Sequence, residues 1–391
     1  FYNGGTLLAR ASTLYLGTTS SSPYAGENSS RYGIFLSGGK LGGASTSAAP
    51  TGTWYVSSIK STISTNILRF TTGTCTITGK NTSANRFFEI TDGNVYHSNG
   101  TLTIDSGVAA EMQWDAVSTD QDNGPYNFII NDASCTARIR TALEVLNDMT
   151  VTLGTFNTHS NDGGADKDLT VTGKTIIGPG SGSADQATLV CNGSTVSLGT
   201  GRQQSDYAVN IEQGGTFTGG TANQTIGGLY MAQAATAKAT MTAGVLTVNG
   251  YNTSANKAWR VEYGGDTFNN NDGTVKFHLN GFSTRMSMRG ASHANNAFHN
   301  LIVEGDTSAR QISPDNGTKI IVDNDLTITN GKLVMGLSHA LEVGRHVEID
   351  DASGTAILEM GSSSNISSQA ATFGTLTIGG SGTYKATSGT T

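Results

Sequence analysis

A stretch of this chain occurs twice. NTSANRFFEITDGNVYHSNGTLTI, from Asn81, returns as NTSANKAWRVEYGGDTFNNNDGTVKFHL from Asn252, 171 residues further on. Shorter matches flank it in the same order. Upstream, RYGIFLSGGKL (Arg31 to Leu41) answers DYAVNIEQGGTF (Asp206 to Phe217). Downstream, PYNFIIND (Pro125 to Asp132) answers AFHNLIVEG, and LNDMTVTLGTF (Leu146 to Phe156) answers DNDLTITNGKL, with Phe128 facing Leu301 and Asp148 facing Asp325. Near the end, AILEMGSSSNI (Ala356 to Ile366) resembles ATLVCNGSTV (Ala187 to Val196), and within one copy the Arg31 and Asn81 segments resemble each other. The duplication is therefore nested: unit one over 1–178, unit two over 179–345, and the start of a third over 346–391. Self-similarity of this kind is the mark of a repeat architecture.

The repeated units read as strand. Runs such as Thr101-Leu102-Thr103-Ile104, Val245-Leu246-Thr247-Val248 and Leu326-Thr327-Ile328-Thr329 alternate an apolar residue with a β-former and then meet Gly or Asn. The one helix-like stretch, Ala137 to Asn147, contains β-branched residues and faces the strand-like run Lys319 to Asp323, so it too reads as strand.

The joins between copies carry no Pro-rich or polar break, and the whole chain has only 5 prolines. Separate domains on linkers would show such breaks. A solenoid, whose coils share one core, would not. Composition agrees. Charged residues make up 14% of the chain, against about 25% in an ordinary soluble domain, and like charges stacked at strand spacing repel. The 51 glycines, with the asparagines, supply corner residues able to take positive φ. The fold expected is an all-β, right-handed parallel β-helix. At roughly 20–25 residues per coil it would make roughly 16–20 coils. The alternative is a string of tandem β-sandwiches, which would place a buried Trp in each domain. Trp54, Trp114 and Trp259 do not recur at matching positions.

Runs such as FHNLIVEG…IIVDNDLTITNGKLVMG and FGTLTIGGSGTYKATSGTT resemble the β-helical repeats of phage tail fibres, tailspikes and large bacterial surface adhesins. The likeness spans most of Asn127 to Gly178 and Phe298 to Thr391. It implies a fibrous protein on a virion or cell surface, often a homotrimer in phage. It transfers no functional residue. The function expected is structural and adhesive, with self-association into a trimer or filament and a host surface glycan or receptor as partner. The alternatives are a polysaccharide-depolymerising tailspike enzyme on the same scaffold and a self-assembling surface-layer or filament protein. The chain begins at Phe1 and ends within a patterned segment, as expected of a processed protein or part of a longer one.

Net charge is -7 with no Lys/Arg cluster, which argues against nucleic acid and anionic membrane as partners. No apolar run approaches the roughly 20 residues of a membrane-spanning helix. Cys75, Cys135 and Cys191 are far apart and lie in strand-like runs, so each reads as a small buried apolar residue. The seven histidines show no metal-site spacing.

Catalysis on a glycan needs carboxyl groups about 5–10 Å apart. Asp120 and Asp122, in the loop STDQDNG, are the weak catalytic candidates. Asp162, Asp166 and Asp168 lie in HSNDGGADKD, where copy one has 13 residues between positions that copy two spaces by 8. The extra residues predict a protruding loop whose acids could hold Ca²⁺ through oxygen ligands, although a solvated acidic turn explains the same residues. Trp114 beside Asp115 pairs a flat ring with a carboxylate, a candidate glycan contact; Trp114 and Trp259 both align with apolar residues, so each also reads as core. Finally, Glu111 faces Arg285 and Asp115 faces Arg289 between the copies, a reversal of charge at equivalent places. Drift on a solvated face explains this. The sharper reading makes these four residues an assembly interface, acidic patch of one subunit against basic patch of the next.

Overall fold

The computed structural model describes residues 49–115, 124–162, 164–182, 186–201, 203–262, 267–288, 296–307, 309–315, 319–336, 339–351 and 356–361, with short segments among residues 6–42 and 365–386. No helix occurs among these residues; parallel strands stack as a β-solenoid of about 11 turns. The antiparallel pairs among the described residues, Asn81 with Arg86, Asn252 with Lys257 and the single bridge of His159 with Asp166, close turns or loops and are not the hairpins of a sandwich.

One coil shows how the sequence builds the fold. In Asn127–Ile139, Phe128 and Ile130 point inward, the chain turns a corner where Asp132 accepts a hydrogen bond from the Ser134 amide at 2.8 Å, and Cys135, Ala137 and Ile139 point inward again. Leu143–Val145 adds a third side and buries Leu143 and Val145. Alternation with period two thus sends every second side chain into the core. Register then stacks like on like: Phe128 lies between Leu102 and Met149, Ala137 between Ala110 and Phe156, and Leu143 on Leu169. Burying one such large side chain stabilises by about 1.5–3 kcal/mol. The helix-like stretch is indeed strand, divided between the end of Asn127–Ile139 and Leu143–Val145.

Contacts divide the chain into two compact units, Phe1–Pro179 with Asp185–Val196, and Gly180–Ala184 with Ser197–Thr391. In the second unit Leu229–Met231, Lys257–Val261, Thr284–Met288, Gln311–Pro314 and Lys332–Met335 stack along one side. Val245–Val248, Thr274–Leu279, Asn300–Gly305, Asp325–Ile328 and His346–Asp351 stack along another.

The duplication is also present in the hydrogen bonding. Asn81 caps its turn by accepting from the Ala84 amide at 2.7 Å, and Asn252 accepts from Ala255 at 2.8 Å; Asn85 and Asn256 then take φ of 54° and 51°. Asn127 accepts from the Asn147 side-chain amide at 2.8 Å, as Asn300 does from Asn324 at 2.8 Å. At Gly100 a Cβ would lie 1.9 Å from the Thr71 carbonyl oxygen, and at Gly273 1.9 Å from that of Thr242, so both corners require glycine.

The number of turns is smaller than the 16–20 expected. Coils vary from 20 residues (Val209 to Leu229) to 40 (Leu14 to Trp54), because corner loops lengthen without changing the strands. Cys75, Cys135 and Cys191 are buried outside any disulfide, and burial pushes the Cys75 and Cys135 thiols up to about 12. They are packing residues.

Candidate functional site

The two places of reversed charge are built on equivalent strands. In the first unit Arg86 pairs in register with Glu111, and the Arg140 amide donates to the Met112 carbonyl at 2.9 Å. In the second Lys257 pairs with Arg285, and the Asp315 amide donates to Met286 at 2.8 Å. Arg140 and Asp315 are therefore structural counterparts. The exchange of Glu111 for Arg285 is answered one coil on by the exchange of Arg140 for Asp315.

This changes the meaning of Glu111. It is 3% exposed, and its Oε1 accepts hydrogen bonds from the Ser160 hydroxyl at 2.9 Å and from the amides of Asn161 and Asp162 at 2.7 and 3.0 Å. Arg140 lies 3.8 Å from its other oxygen. A carboxylate so enclosed has no surface to offer a neighbouring subunit, and its charge is matched within the chain. Arg285, with 53% of its side chain exposed, does face solvent; Arg289 lies outside the described residues.

The lengthened loop is pinned by the same group. Asp162 pairs with Arg86 at 3.7 Å and with Arg140. Asp166 accepts from Gly193 at 3.1 Å and lies 2.8 Å from His159 Nδ1. Asp168 accepts from the Thr195 amide at 3.1 Å. The three aspartates point at three different partners and do not converge on a Ca²⁺ position. Among the described residues no group of three or more His, Cys, Asp or Glu could hold a metal ion.

Beside the pinned loop lies an open cleft of about 420 Å³, lined by Trp114, Asp115, Ala142, Leu143, Glu144, Asp168 and Thr170. Leu143–Val145 and Leu169–Val171 run parallel there, with Glu144 opposite Thr170, both directed away from the core by the alternation that buries Leu143 and Leu169. Asp115 is held by a 2.7 Å hydrogen bond from Gln113, whose side-chain oxygen accepts from Arg86 at 3.1 Å. Thus Asp115 and Asp168, singled out from sequence in separate motifs, share one site. Asp120 and Asp122 lie outside the described residues.

Trp114 forms the floor and is not a stacking platform. It is 3% exposed and packs against Phe70 and Phe88 with ring centroids 5.8 and 5.9 Å apart. Trp259 is fully buried, as is Phe88. An exposed aromatic pair occurs elsewhere in the first unit, where Tyr15, 51% exposed, stacks on Tyr55 at 5.0 Å. Sequence reasoning missed Glu144, although the run Leu143-Glu144-Val145 marks it as an outward acid between two core residues. It also missed Arg140, whose partner Asp162 is distant in sequence and carries no local signal.

Fold and site together define a parallel β-solenoid protein with a carboxylate-lined cleft on its first unit. The chain matches no protein-family model, no curated protein and no solved structure.

Proposed function

We propose that this protein is a structural, adhesive component of a virion or cell surface that binds a glycan in the cleft of its first unit. The observation that carries the reading is the convergence of Asp115, Glu144 and Asp168 on one open cleft. Its volume falls in the range of about 300–1,000 Å³ usual for ligand sites. Carboxylates accept hydrogen bonds from pairs of sugar hydroxyls, and charge-assisted bonds are about twice as strong as neutral ones. The scaffold suits such a task. Glu144 and Thr170 stand on strands paired in register, and Asp115 and Asp168 directly adjoin strand ends, Asp115 held by Gln113 and Asp168 by the Thr195 amide, so the acceptors are held in place before a ligand arrives. Self-association into a trimer or filament belongs to the same reading and is measured by sedimentation.

The test is a titration with neutral oligosaccharides. Binding that weakens at least tenfold in Glu144→Gln or Asp168→Asn, with melting unchanged, supports the cleft; equal binding by both variants removes it. The same convergence of carboxylates favours, as a second reading, a depolymerase that cleaves the bound glycan. Shortening of host polysaccharide by the intact chain, lost in the same two variants, would select the enzyme.

A further inference from the structure

The charged groups of the two units differ in what completes them. In the first, the guanidinium groups of Arg86 and Arg140 share Asp162, Arg140 also lies 3.8 Å from Glu111, and Arg86 also pairs with Glu89 at 3.3 Å, all carboxylates of the chain itself. Asp162 reaches them only because its loop is longer than the corresponding loop of the second unit. In the second unit Lys257 and Arg285 share a single carboxylate, Asp315, at 2.6 and 3.8 Å. No second carboxylate pairs with them among the described residues.

A third group senses the same acid. His339, on the short loop that follows Lys332–Met335, is 6% exposed, and its Nδ1 is buried without a hydrogen-bond partner. Asp315 is close enough for its charge to act on the imidazole. Arg285 meanwhile keeps about half of its side chain in solvent, with a guanidinium whose planar fork suits a carboxylate. The second unit thus presents two cations and an unsatisfied imidazole around one acid, at the position where the first unit seats a carboxylate of its own.

We infer that Lys257, Arg285 and His339, around Asp315, form a receptor for the carboxylate of an acidic glycan, in the place that Asp162 fills in the first unit. The inference rests on the reading of this chain as a glycan-binding protein, and it supplies a second subsite of opposite preference. The cleft of the first unit, lined with carboxylates, repels a uronic acid; the second unit's group attracts one. The internal Asp162 pair is the template: it shows that a carboxylate fits against cations carried on these strands.

The experiment is isothermal titration of the full chain with a uronic-acid tetrasaccharide and with its neutral counterpart, at low and moderate salt. The expected result is binding of the acidic sugar that weakens with salt, falls at least tenfold in Arg285→Glu, returns in Arg285→Lys, and is unchanged in Glu144→Gln. Because Arg285 is half exposed, Arg285→Glu retains the wild-type melting temperature. Asp162→Ala opens the counterpart position in the first unit, and the stoichiometry rises from one toward two. Equal binding of the acidic sugar by Arg285→Glu, or no binding by wild type, overturns the proposal. So does a self-association abolished by Arg285→Glu that the acidic sugar does not compete with, which would make the partner a protein carboxylate. Loss of neutral-sugar binding in Glu144→Gln bears on the first-unit cleft alone, so the two sites fail separately.

Discussion

Glu111 and Arg285 occupy the same place in two copies of one architecture, yet the first is enclosed and the second faces water. The strands beneath them are equivalent in register and in backbone hydrogen bonding. What differs is the loop that follows two coils later. In the first unit it folds back, donates three hydrogen bonds to Glu111 and brings Asp162 to the arginines. In the second it is shorter by sequence, and the Arg285 side chain is half exposed. A solenoid therefore holds its coils constant and diversifies through corner loops, which can convert a solvated charge into an internal clamp without disturbing the stack.

The comparison can be broken most forcefully at Glu111. Glu111→Ala takes the buried acceptor from three donors while Arg140 keeps Asp162, and is expected to cost about 3 kcal/mol, whereas Arg285→Ala is expected to cost less than about 1 kcal/mol. Chemical denaturation of the two variants measures the difference, and equal losses would mean that the loop contributes nothing.

Next in size are the paired glycines. Gly100→Ala and Gly273→Ala each drive a methyl into a carbonyl oxygen, and each should cost about 1–3 kcal/mol. Near-equal values from melting curves would support equivalence of the two units. A large inequality would show that one corner can relax and the other cannot. Smaller still, Asn127→Ala and Asn300→Ala each remove a side-chain ladder bond and should cost about 1 kcal/mol apiece.

The finest distinction is in pH. Burial holds His339 below the ordinary histidine value of 6.5, against the opposing charge of Asp315. The unfolded chain therefore binds the proton more readily than the folded one. Stability from this group is fully present above 6.5 and declines as pH falls through the lower folded value. His339→Gln should flatten that part of the melting temperature against pH profile, and an unaltered profile would show that the imidazole stays neutral for another reason.

Much of the fold was legible in the chain. Duplication predicts a repeat architecture, and runs such as Thr101-Leu102-Thr103-Ile104 predict strands with one side buried, because side-chain direction in a strand follows from period two alone. The sites were less legible. Asp168 was read with Asp162 as one loop cluster, yet it lines the cleft with Asp115, which is 53 residues away in sequence. Glu111 was read as surface because its counterpart is an arginine, and burial of a charge depends on partners that stacking supplies.

Parallel stacking, the positions of the corners and the alternation of core and surface follow from local pattern repeated along the chain. Which charges meet follows from the folded coils. Coils bring together residues separated by about one coil length or more, and coil length varies from 20 to 40 residues with the corner loops. Whether Asp162 lands on Arg86 and Arg140, or Asp315 between Lys257 and Arg285, is fixed by that length in three dimensions and by no motif.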